Sequence, residues 1–131
     1  MYQESDIREL LIETCYSNEQ AATFFEQRLE DEALLAILVT IALDEDDFGG
    51  DAPMASGDYI PRYPTECLKN YEPQFLAILE SEWASVRHED IALALAKINS
   101  SKGKDLTKKW LSELGEGPRY EKFKQAYEQY A

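Results

Sequence analysis

Apolar residues recur at helical spacing along most of this chain. Ile7, Leu10, Leu11, Thr14 and Cys15 stand at i, i+3, i+4, i+7 and i+8, one face of a helix that opens at Ser5 or Asp6. Ser17-Asn18-Glu19-Gln20 reads as a capping box, with a serine hydroxyl on the third backbone NH and Gln20 reaching back. The second helix it opens runs to about Arg28, with Ala21, Phe24, Phe25 and Leu29 inward. Asp31 caps a third helix. There Leu34, Leu35, Ile37, Leu38, Val39, Ile41 and Leu43 leave almost no polar face. A helix that is apolar all round is buried all round, so this one is predicted to be the central element.

The periodicity then stops. Residues 44–63, DEDDFGGDAPMASGDYIPRY, combine acids, turn-forming Gly and Ser, and isolated apolar residues. They predict a long acidic loop that packs partly on the body and keeps its carboxylates outside. A loop of that length in a compact domain is uncommon and is usually functional or disordered. The acids at 44–47 follow a helix C-terminus, where negative charge opposes the macrodipole.

After the loop the stripe resumes. Pro64 suits a first helical turn, and Leu68, Tyr71, Phe75, Leu76, Leu79 and Trp83 continue to about Ala84. Pro73 must kink or break that run near Asn70. Ser85 is the expected cap of a helix over about 86–99 that buries Ile91, Ala94, Leu95 and Ile98. Ser100 to Lys104 reads as a turn, and Asp105 as the cap of a helix with Leu106, Trp110, Leu111 and Leu114 inward. Tyr120, Phe123, Tyr127 and Tyr130 form an aromatic stripe on a final helix. The prediction is an all-α fold: one domain over 1–131, about seven helices, an irregular array of antiparallel helix pairs.

Charge adds a direction. The net charge is −13 over 131 residues. Residues 1–60 carry 15 acids against only Arg8 and Arg28, whereas residues 61–131 carry 11 acids and 11 Lys or Arg. The first half therefore attracts cations and repels nucleic acid. The two cysteines, Cys15 and Cys67, form no Cys-x-x-Cys pair and are expected to be free, mostly buried thiols in a reducing compartment. No signal peptide is predicted, and the apolar run 33–43 is too short to span a bilayer. The expected location is the cytoplasm, with no membrane partner.

One segment resembles a known family. Cys67–Ile98 carries a helix kinked by proline, a short turn, and a second helix opened by Val86-Arg87 with Ile91, Ala92, Leu95 and Ile98 as its inner face. This resembles a HEAT-type repeat, and the pair at about 105–114 and 118–130 would be a second, degenerate unit. The usual Asp or Asn of the turn is absent; Glu82, Trp83 and Ser85 stand there. The resemblance implies a HEAT-like α-α superhelix that binds macromolecules rather than catalysing a reaction. In size, acidity and helicity the chain is also similar to immunity proteins of bacterial toxin systems, which neutralise a basic toxin.

Catalytic chemistry is sparse. His88 is the sole histidine and lies beside Glu89 and Asp90. No Gly-rich phosphate loop is present. Asp44-x-Asp46 with Gly49 or Gly50 faintly resembles a calcium loop, but Ala55 stands where the bidentate glutamate belongs. Lysines 102, 104, 108, 109, 122 and 124 and Arg119 cluster late, interleaved with acids. They read as a solvated face, with head-to-tail self-association as a variant. The reading is therefore an acidic module for a cationic protein partner, with no catalytic residue, cofactor or metal. Asp44, Glu45, Asp46, Asp47, Phe48, Asp51, Asp58 and Tyr59 are its expected contact residues. The alternatives are a metal-dependent enzyme using the loop carboxylates, and an adaptor whose acidity serves solubility alone.

Overall fold

A computed structural model of the chain describes residues 2–44, 50–81 and 86–130. Its elements are α1 (Glu4–Thr14), α2 (Glu19–Glu26), α3 (Glu32–Ala42), α4 (Asp51–Tyr59), a 3-10 turn (Ile60–Arg62), α5 (Thr65–Leu68), a second 3-10 turn (Lys69–Tyr71), α6 (Glu72–Glu80), α7 (His88–Lys97), α8 (Ser101–Glu113) and α9 (Pro118–Glu128). The fold is all-α, with no strand among the described residues. No described helix is long and apolar enough to cross a membrane.

Consecutive helices pack on one another: α1 on α2, α3 on α4, α6 on α7, and α8 on α9. The break expected before Pro73 is present. α5 ends at Leu68, a 3-10 turn follows, and Pro73 enters the first turn of α6, where its missing NH costs no helical bond.

The hub is α7, not α3. α7 touches α4, the first 3-10 turn, α6, α8 and α9. Its buried face holds Ile91 and Leu95 together with Ala92, Ala94 and Ala96. Alanine keeps the helix thin, so neighbours close in on several sides. Two glycines carry this further. A Cβ on Gly57 of α4 would lie 2.0 Å from Val86 Cγ2, and one on Gly103 of α8 would lie 2.7 Å from Leu95 Cβ. Lys97 closes the last turn of α7, its ammonium donating to the carbonyls of Pro61 and Tyr63 at 2.7 Å each. α3 is nonetheless deeply buried through Leu34, Leu35, Leu38, Val39, Ile41 and Ala42, mostly against α4.

The 44–63 loop is largely helical instead. α4 fills residues 51–59 with small buried residues, Ala52, Pro53, Ala55, Ser56 and Gly57, between α1, α3 and α7. Small side chains on nearly every side show no apolar stripe, yet they permit close packing. Pro53 falls in the first turn, and the buried Ser56 hydroxyl donates to the Pro53 carbonyl at 2.7 Å. Caps also shift. Ser17 adopts a left-handed φ of 64°, and Asn18 caps α2 by accepting from Gln20 N and Ala21 N. Asp31 caps α3 as expected, accepting from Leu34 N at 3.2 Å. The predicted turn at 100–104 is the start of α8, capped by Ser100 on Gly103 N at 3.0 Å. α7 begins at His88 after Arg87, and Ser85 and Trp83 lie outside the described residues.

Gly103→Ala tests the close packing. Alanine favours a helix by up to about 1 kcal/mol over glycine, but overpacking costs about 1–3 kcal/mol. Leu95 Cβ cannot yield without moving the backbone of α7, so the clash wins. Denaturant titration should show a net loss of about 1–2 kcal/mol.

Candidate binding face on α1, α4 and the start of α7

The expected contact residues disperse. Asp44 lies just past α3, and its carboxylate accepts from Arg8 Nη2 of α1 at 2.7 Å. Arg8 also pairs with Glu4 at 3.1 Å. Asp44 is thus held in an internal ion pair that sets a cation against the C-terminal end of α3 and answers the dipole mismatch. Tyr59 is corrected as well. It is only 5% exposed, stacked on Phe25 with centroids 4.9 Å apart, so it serves the core more than a partner. Glu45, Asp46, Asp47 and Phe48 lie outside the described residues.

Asp58 reaches a cavity, and Asp51 lies beside it against the end of α1. Asp51 opens α4, where the helix N-terminus favours its charge, and it accepts from the Tyr16 hydroxyl at 3.4 Å. Asp58, two turns on, is exposed and pairs with Arg62 at 3.0 Å. Between α4, the end of α1 and the start of α7 lies a cavity of about 320 Å³. Its walls are Thr14 and Cys15 from the end of α1, Met54, Ala55, Asp58 and Tyr59 from α4, and Arg87 and Asp90 at the start of α7.

Asp90 is the unusual member. One carboxylate oxygen is buried and has no hydrogen-bond partner among the described residues. Burial, then the charges of Asp58 and Glu89, push its carboxyl up to about 6, against the pull of Lys122 and Arg87. The cavity thus holds two carboxylates beside one guanidinium, Arg87, with Asp58 also paired to Arg62. Cys15 is a poor nucleophile, because burial and the Asp51 charge raise its thiol and keep it protonated. Cys15 is exposed and Cys67 buried, and both are free. Among the described residues no group of His, Cys, Asp or Glu could hold a metal ion.

The outer face of α1, away from the cavity walls, carries a separate feature. Glu9, Ile12 and Glu13 share a stripe at i, i+3 and i+4, and Tyr16 in the following turn extends it to i+7. Ile12 and Tyr16, 39% and 74% exposed, are the large exposed hydrophobics among the described residues. The inner-face pattern of α1 passed over this stripe, although an isoleucine on the polar side was a signal in the sequence. Asp90 carried no such signal, since its burial comes from packing between helices.

Compared with protein-family models, with curated proteins and with solved structures, the chain shows no match to any of them.

The pH dependence of stability tests Asp90. Its folded value lies above the ordinary carboxylate range, so protonation favours the fold. This contribution is present below ~4 and is lost as pH rises through about 6. His88 works the other way, because burial depresses its imidazole. Comparison with Asp90→Asn removes that background. Between about pH 7.5 and about pH 5 the parent should gain about 1–2 kcal/mol relative to the variant, allowing for solvent screening at a partly open site. Parallel stability curves would show that Asp90 is not held as described.

Proposed function

We propose that this chain is an acidic protein-binding module for a cationic protein, in its most concrete form an immunity protein that neutralises a basic toxin. The observation that carries the reading is the α1 stripe, where the exposed Ile12 and Tyr16 are flanked by Glu9 and Glu13. Apolar anchors within a charged surround are the composition of a binding patch. The anchors supply affinity, and the charges supply speed and partner choice.

Local neutralisation is slight. Arg8 pairs with Glu4 and Asp44, and Arg28 lies 4.0 Å over the Phe24 ring while donating to the Phe24 carbonyl. No other cation occurs in residues 1–60. Asp6, Glu9, Glu13, Glu19, Glu26, Glu30 and Glu32 are exposed, and no ion pair among the described residues involves them. A lysine or arginine side chain of the partner fits the cavity, its stem along Met54 and Ala55 and its head toward Asp58 and Asp90. The HEAT-like reading of α5 to α7 supports the same class, because such helix pairs serve macromolecular recognition.

A pull-down from the source cells at low and high salt, with mass spectrometry, identifies the partner. A basic protein held at low salt and weakened at high salt is expected. Glu9→Lys with Glu13→Lys should then slow association by about tenfold or more and flatten its salt dependence. Ile12→Ala with Tyr16→Ala should act mainly on dissociation. Retention of no cationic protein, or unchanged kinetics in the charge-reversed variant, would sink the reading.

A further inference from the structure

The chain carries a surface of the opposite sign. A groove of about 520 Å³ lies between the start of α7, Trp110 of α8 and the first turns of α9. Trp110 is its fixed apolar wall. The indole stacks on Phe123 at 5.6 Å and 9°, packs against His88 at 4.8 Å, and donates from Nε1 to the Leu79 carbonyl at 2.9 Å. Arg87, Arg119 and Lys122 line the groove around it. Its carboxylate, Glu89, is 6% exposed and already sits 3.4 Å from Arg119 Nε, while Arg119 itself is 53% exposed. A cationic, tryptophan-walled groove on a chain of net charge −13 suits an anionic occupant with apolar contacts.

We propose that the occupant is the α1 stripe of a second copy of this chain, docked head to tail. The stripe offers acids and apolar groups together, Glu9 and Glu13 beside Ile12 and Tyr16. The groove offers Arg119 and Lys122 beside Trp110. The spacing agrees. Glu9 to Glu13 spans about 6 Å of helix rise and Arg119 to Lys122 about 4.5 Å, at about 1.5 Å per residue. The long-range field agrees too, because the acidic half of one copy meets a half of zero net charge with a locally positive groove. Within one chain the two surfaces stay apart, since α1 packs on α2, α3 and α4. Unlike surfaces that join head to tail leave one of each open, so the product is a concentration-dependent series that ends only where the rotation closes it into a ring. Self-docking stands without the cationic-partner reading. If both hold, they compete for Glu9, Ile12, Glu13 and Tyr16, and the partner dissolves the assembly.

Sedimentation velocity of the purified full chain tests this without any partner. The average mass should rise with concentration and fall as salt is raised. Glu9→Lys with Glu13→Lys, and separately Arg119→Glu with Lys122→Glu, should each weaken association by about tenfold or more. Mixing the two variants should restore it, because each then meets its complement. Glu13→Lys with Lys122→Glu carries the same test should reversal at Arg119 unsettle Glu89. A chain that stays monomeric at all concentrations overturns the proposal, as does association that neither variant weakens or that mixing does not restore. A monomeric chain that binds poly-glutamate through Arg119 and Lys122 would instead assign the groove to another acidic protein. Failure here leaves a cationic partner found by pull-down unaffected, and the reverse also holds.

Discussion

Close approach to α7 is the constraint on which the rest of the structure depends. A thin helix faced with Ala92, Ala94 and Ala96 can hold α4, α6, α8 and α9 around it at once. Each neighbour meets that constraint in its own way. α4 brings Gly57 against Val86, and α8 brings Gly103 against Leu95. The turn at 60–63 is tied to the far end of α7 by the Lys97 ammonium. Burial of α3 adds more apolar area, at about 1.5–3 kcal/mol for each large side chain, but it does not organise the neighbours. Dispersion and hydrophobic burial supply the energy, and the small residues decide which helices can collect it.

The same hub places the charged features. Its first turn lies between two sites. On one side Asp90 faces the cavity shared with α1 and α4, and on the other His88 and Glu89 line the groove with Trp110 and Arg119. Arg87, just before the helix, borders both. The sites therefore cannot move independently of the core.

Several elements were legible because their signals are local. The inner faces of α1 and α2, the Asp31 cap, the break before Pro73 and the all-helical character all follow from spacing, capping and backbone sterics within a few residues. α4 was not legible, because a helix buried on most sides by Ala, Ser and Gly has the composition of a loop. The Ser17 cap and the 100–104 turn were misplaced by a residue or more, because Asn18 and Ser100 compete with chemically similar neighbours. Asp44 and Tyr59 stood out as acid and aromatic, but Arg8 and Phe25, far off in sequence, engage them.

By itself the sequence determined the helical class, several of the element boundaries and the confinement of the net charge to the first sixty residues. These depend on residue type and on interactions between near neighbours. Tertiary structure alone decided that α7 is the hub, that 51–59 is a helix, that Asp90 is half-buried at the cavity it shares with Asp58, and that cations gather around Trp110. Those outcomes depend on which distant small residues let backbones meet, and no periodicity along the chain records that.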